Sequence, residues 1–100
     1  MENSLFVDIG GTNLRYAFVE STSEKFSKVI KKKIDESISA DLLIKQILKE
    51  IPIQINNIVF SIAGPKLNNT VEMTNRNLKI DPQTIKTKYV LNECFILNDW

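Results

Sequence analysis

A mixed α/β sheet, with antiparallel strands first and parallel strands after, is the fold class this sequence predicts. Three observations predict it. Two apolar segments flank Gly10-Gly11 in the manner of a hairpin. Residues 40–51 repeat apolar side chains at helical spacing. After them comes Ile58-Val59-Phe60-Ser61-Ile62-Ala63, a nearly continuous apolar run that suits a parallel strand covered on both faces.

The elements follow in order. Leu5 to Asp8 reads as a strand, apolar on both faces until an acid closes it. Gly10-Gly11 makes a tight turn, where glycine accepts positive φ and lets a ligand approach the backbone. Leu14 to Glu20 is the returning strand, with Leu14, Tyr16 and Phe18 on one face and Arg15, Ala17 and Val19 on the other. Ser21 to Glu24 is a second turn, and Phe26 to Ile34 a third antiparallel strand. Ala40 to Ile51 is a helix. Ala40, Leu43, Ile44, Ile47, Leu48 and Ile51 form its apolar stripe, Ser39 caps it, Asp41 and Lys45 pair on its wet side, and Pro52 stops it. Gly64-Pro65 ends the next strand, Val71 to Met73 is a short strand, and Asp81-Pro82 opens a short helix with Asp81 as N-cap. Cys94 to Leu97 is the last strand and runs into Asn98-Asp99. Both Asp8 and Asp99 thus fall at ends of apolar strands, where open α/β sheets place their ligands.

Composition narrows the function classes. A chain of 100 residues with 43% hydrophobic and 25% charged residues is ordinary for a folded domain or a piece of one. A net charge of +1 gives no global attraction to nucleic acid or to a membrane surface, and neither is expected as a partner. Lys31-Lys32-Lys33 reads as a solvated strand end, with phosphate or nucleic-acid contact as the lesser alternative. One cysteine, Cys94, permits no internal disulfide and favours a cytoplasmic protein; it reads as a small buried side chain. With no histidine, the usual general base and the commonest metal ligand are missing. No secretory leader or membrane span is visible.

The first segment with chemistry is Asp8-Ile9-Gly10-Gly11-Thr12-Asn13. It lacks the Gly-Lys-Ser/Thr ending of a P-loop, and no helix follows, as a dinucleotide fingerprint needs. Two glycines at a hairpin tip can expose N–H groups to an anion, Thr12 adds a hydroxyl, and Asp8 can hold Mg²⁺ directly or through water. An ordinary Gly-Gly turn beside a solvated aspartate fits the same residues equally well. Ser61-Ile62-Ala63-Gly64-Pro65 is a strand end. Met73-Thr74-Asn75 offers a hydroxyl and an amide, either for a ligand or to shape a turn. Leu97-Asn98-Asp99 reads by itself as a turn after a strand.

Asp8-Ile9-Gly10-Gly11-Thr12-Asn13, followed by Arg15, resembles the first phosphate-binding motif of the sugar kinase, actin and heat-shock chaperone superfamily. Its Gly-Gly-Thr-Asn-x-Arg form is most similar to the glucokinase and hexokinase branch. Ser61 to Pro65 resembles the strand end that borders the sugar pocket of bacterial-type glucokinases, and Met73-Thr74-Asn75 resembles their Met-Thr-Asn triplet. Leu97-Asn98-Asp99 resembles their Ile-Asn-Asp-Phe motif, with Leu97 and Trp100 as departures. The four occur in the family's order along nearly the whole chain.

The resemblance implies an incomplete ribonuclease H-like (actin-like ATPase) N-terminal lobe over residues 1–100, cut short after Trp100. It implies ATP and Mg²⁺ as cofactors and transfer of the γ-phosphoryl group to the 6-hydroxyl of glucose, the first step of glycolysis. By the same resemblance Gly10, Gly11, Thr12 and Asn13 bind phosphate and Asp8 holds Mg²⁺ through water. Asn75 and Asn98 bind the sugar, and Asp99 is the catalytic base. Arg15 either adds positive charge near the hairpin or pairs with Asp8. The chain alone is expected to be inactive, with a second copy or a missing C-terminal lobe as its protein partner. Another hexose kinase, a non-catalytic remnant that binds sugar or protein, and a chaperone-type ATPase are the rival readings.

Overall fold

The computed structural model describes residues 2–10, 13–23, 25–34, 38–62, 66–67, 70–72 and 79–98, with side chains described for all of these except 66–67, 70–72 and 98. Strands β1 (Ser4–Ile9), β2 (Asn13–Val19), β3 (Ile30–Lys33), β4 (Asn57–Ile62) and β8 (Glu93–Asn98) form one sheet in the order β3-β2-β1-β4-β8. The β1–β2 and β2–β3 pairs are antiparallel, and β1–β4 and β4–β8 are parallel. This is the predicted mixed sheet. A second sheet of three short strands, β5 (Lys66–Leu67), β6 (Thr70–Glu72) and β7 (Lys79–Ile80), was only partly foreseen: Thr70–Glu72 overlaps the expected 71–73 strand, whose Met73 lies outside the described residues.

Helix α1 (Ala40–Glu50) joins β3 to β4, and α2 (Pro82–Lys88) joins β7 to β8. Both start as the sequence indicates. The Ser39 hydroxyl accepts from the Leu42 amide at 3.2 Å, and the Asp81 carboxylate accepts from the Gln83 amide at 3.1 Å, so each cap satisfies an orphan donor of the first turn. Leu43, Ile44 and Ile47 of α1 and Ile85 of α2 enter one core with Leu5, Val7, Ile9, Leu14, Tyr16, Ile58, Phe60 and Ile62.

The third strand is the main correction. Phe26 to Ile34 is not continuous: only Ile30–Lys33 pairs as a strand, and Phe26 makes an isolated bridge to Val19. Tyr16 faces Ile30, but Val19 faces Phe26, so three steps on β2 span four on its partner. The extra residue makes a β-bulge. Ser27 accommodates it: its amide donates to the Phe18 carbonyl at 2.8 Å, while its hydroxyl accepts from the Phe18 amide at 2.9 Å in place of a backbone carbonyl.

The second correction concerns the faces. β4 is not covered on both sides. Its burial alternates, with Ile58, Phe60 and Ile62 fully buried and Asn57, Val59 and Ser61 half-buried. Both helices lie on the Phe60 side. On the other face, cross-strand register aligns Ala17, Phe6, Val59 and Phe95 into an apolar belt. Phe95 is 52% exposed and Leu97 61% exposed there, with Phe6 and Phe26 rings 5.3 Å apart nearby. An uncovered belt of this kind favours association. The 100-residue chain is expected to sediment as a concentration-dependent mixture, and Phe95→Glu with Leu97→Glu to shift it towards monomer. Concentration-independent monomers of the unaltered chain would contradict this.

Ion pairs tie the helices together. Asp41, in the first turn of α1, meets Lys88 at 2.6 Å, Tyr89 Oη at 2.7 Å and Lys45 at 3.5 Å. The bonds from Lys88 and then Tyr89 lower its carboxyl from the ordinary 3.8 to about 2. A carboxyl that titrates lower when folded stabilises the fold above its unfolded pKa and ceases to do so as pH falls through the folded value. Acid unfolding is therefore expected to gain an Asp41-dependent component between about pH 4 and pH 2, and Asp41→Asn to flatten the melting-temperature profile in that window. On the other flank Tyr16 Oη donates to Glu50 Oε2 at 2.8 Å, and Lys32 pairs with the same carboxylate. Burial, then the bond to Glu50, pushes the Tyr16 phenol up to about 12. Cys94 is half-buried, and its thiol is pushed up to about 11, chiefly by burial, which makes it a poor nucleophile.

After α2, Val90 has φ 53° and is 85% exposed. A β-branched residue is strained in this left-handed region, which glycine accepts freely. Val90→Gly is expected to stabilise the chain by about 1 kcal/mol in denaturant unfolding. A loss of stability would show that Val90 makes contacts that outweigh the strain.

Candidate active site

The β1–β2 hairpin positions the first group of residues. Asp8 is the penultimate residue of β1 and is exposed. Its antiparallel neighbour is Arg15 and its parallel neighbour is Ser61, so the three share a face. They edge a hollow of about 270 Å³ on the uncovered side of the sheet, with Phe6, Val59 and Leu97 forming its apolar part. No ion pair joins Arg15 to Asp8 or to any other carboxylate among the described residues. The pairing alternative for Arg15 is thus not realised, although the two are register neighbours.

Gly10 carries the chain into the tip. Its amide donates to the Asn13 carbonyl at 2.8 Å, extending the Ile9–Leu14 register by one step. A Cβ on Gly10 would stand 3.2 Å from that carbonyl oxygen. At Gly10 the backbone favours glycine by close approach of backbone to backbone, with no left-handed φ at this residue. Gly11 and Thr12 lie outside the described residues.

The second group sits at the same sheet edge. Register places Ile9, Ile62 and Asn98 in one row, so β1, β4 and β8 end together, one step beyond Asp8. Two strand spacings, about 10 Å, separate the outer members of this row. Asn98 is the last residue of β8. Asp99, Asn75 and the residues Ala63-Gly64-Pro65 and Met73-Thr74 lie outside the described residues. The structure thus brings Asp8, Gly10, Asn13 and the backbone of Asn98 to one edge, and it describes no position for Asn75 or Asp99. Ser61 was quoted in the sequence only as the start of a strand end. Its place beside Asp8 emerges from the parallel register, which has no local sequence signal.

An exposed carboxylate with no ion-pair partner among the described residues, beside a backbone turn that would crowd a Cβ, fits a hydrated divalent cation and a phosphate chain. Among the described residues no cluster of three or more acidic, Cys or His side chains could hold a metal alone. A cation here would therefore share its ligands with water and phosphate.

Solved structures of two sugar-kinase-family proteins share this fold. A glucokinase from an Antarctic psychrotroph superposes over 99% of this chain and 33% of its own, with TM-score 0.78 and 22% identity. A ROK family protein from Streptococcus pneumoniae superposes over 97% of this chain and 34% of its own, with TM-score 0.70 and 19% identity. At such identities the likeness is one of fold. In sequence, the family model described as Glucokinase matches residues 5–100, and the chain belongs to the glucokinase family. Curated relatives include glucokinases of Sinorhizobium fredii, 29% identical over 97 residues, and Mesorhizobium japonicum, 30% identical over 102 residues. The matches cover 96% of this chain but only 29% and 28% of those relatives.

Proposed function

We propose that residues 1–100 form the N-terminal lobe of an ATP-dependent hexose kinase whose substrate is glucose, working in the cytoplasm. The observation that carries this reading is the family match over residues 5–100, within which the hairpin motif, the Met-Thr-Asn triplet and the Asn-Asp pair all fall. The shared edge formed by the ends of β1, β4 and β8 supports it, because phosphate and sugar groups must meet at one place.

In this reading the hairpin backbone at Gly10 and Gly11, with Thr12 and Asn13, steadies the phosphates of ATP. Asp8 holds Mg²⁺ through its water shell, and the ion when bound offsets phosphate charge. Asn75 and Asn98 orient the sugar by donating to and accepting from its hydroxyls. Asp99 accepts the proton of the 6-hydroxyl as that oxygen bonds to the γ-phosphorus and the bond to the bridging oxygen of ADP breaks. Arg15, beside Asp8 and unpaired among the described residues, adds positive charge near the phosphates.

The test is a hexose panel. The protein is purified from its source cells at its native length and incubated with ATP, Mg²⁺ and one of glucose, mannose or N-acetylmannosamine. Glucose 6-phosphate, read by mass spectrometry, is the expected dominant product. Preference for another sugar would leave the kinase and reject glucose as its substrate.

A further inference from the structure

Strand alternation divides the Lys31-Lys32-Lys33 run between the two faces of the sheet. Lys32 belongs to the helix side, where it pairs with Glu50 of α1, the carboxylate that also accepts from Tyr16. Lys31 and Lys33 are exposed. Register sets them directly opposite Arg15 and Asn13, on the face that carries Asp8.

Nothing in the described fold uses these two lysines. Neither makes an ion pair or a side-chain hydrogen bond among the described residues. Lys31 stands opposite another cation, Arg15, and like charges directly opposite across a strand pair are destabilising. Three cations therefore share one face within two residue pairs of the hairpin tip, with Asp8 as the neighbouring carboxylate, on a chain whose net charge is only +1. Two residues along a strand span about 6.8 Å, a spacing that suits linked phosphates better than one. Lysine is also the point-charge phosphate binder, able to follow a flexible chain.

We propose that Lys31 and Lys33 of β3 extend the phosphate cradle of the hairpin and hold the outer oxygens of a linear triphosphate. Lys32 is excluded from this role by its partner Glu50. The inference rests on reading the hairpin as a phosphate cradle, and it adds a third strand to that site. It also gives the lysine run two separate duties, one structural and one in binding.

The experiment is lysine acetylation of the 100-residue chain, followed by mass spectrometry, with inorganic tripolyphosphate as the probe. At about 10 mM probe, in the range of millimolar binding, Lys31 and Lys33 are expected to acetylate about twofold to fivefold more slowly than in sodium chloride of equal ionic strength. Lys25 and Lys49 are expected to be unchanged. Lys31→Gln with Lys33→Gln, two exposed changes, is expected to weaken tripolyphosphate binding in titration calorimetry with the far-ultraviolet dichroism intact. Equal protection of all lysines, no protection, or unchanged binding by the double variant would overturn the proposal. Selective protection in a protein that phosphorylates no sugar at native length would reject the kinase and keep the anion site. Sugar phosphorylation without selective protection would do the reverse.

Discussion

Asp99→Ala, made in the native-length protein, is expected to lower kcat for glucose phosphorylation by about 10²–10⁴-fold. The sugar hydroxyl is a weak nucleophile until its proton is taken, and residues 1–100 offer a strand-end carboxylate but no histidine to take it. Asp99 follows directly on Asn98, the end of β8, and falls within the family match over residues 5–100. Loss of a base should leave the KM for ATP nearly unchanged, since the proposed phosphate cradle lies two strands away at the β1–β2 hairpin. Steady-state kinetics with varied ATP and varied glucose separates the two parameters. A rise in KM for ATP with kcat preserved would move Asp99 from proton transfer to nucleotide binding.

Phe60→Ala is expected to destabilise the chain by about 3–5 kcal/mol. Phe60 is fully buried on β4, the strand between β1 and β8, and it faces the helices. A domain of this size has about 5–15 kcal/mol in all, so the variant should melt about 15–30 °C lower or fail to fold. Val59→Ala, one residue away on the uncovered face, supplies the contrast. Val59 is only half-buried, so its truncation should cost about 1 kcal/mol or less. Urea unfolding of the pair decides the matter. Equal losses would mean that β4 is covered on both faces after all.

That contrast also marks where the sequence could be read and where it could not. The helical stripe at Leu43, Ile44 and Ile47 and the caps at Ser39 and Asp81 are local signals, and they appear where expected. So do the hairpin and the parallel strands, each within a residue or so of its predicted bounds. The bulge between Phe26 and Ile30 was hidden because it depends on Ser27 replacing a backbone carbonyl, which no periodicity reveals. A run such as Ile58 to Ala63 shows that a strand is apolar on both sides, and says nothing about what covers the second. The small sheet of β5, β6 and β7 was mostly missed because strands of two and three residues carry too few positions for an alternating pattern.

At the site, Asp8 and Gly10 stood out because a strand end followed by paired glycines is a local pattern. The companions of Asp8 did not. Arg15 was noticed through its motif, but Ser61 and Lys31 come to the site only through register, the first by parallel and the second by antiparallel pairing. Chemistry assembled across strands is invisible until the strands are paired.

The most direct test of the account is ADP formation by the native-length protein with Mg²⁺ and ATP, measured with and without glucose. The expected result is ADP release that depends on glucose and matches glucose 6-phosphate mole for mole, because in the proposed reaction the sugar is the phosphoryl acceptor. ADP release at the same rate without sugar would contradict it and make this lobe part of an ATPase.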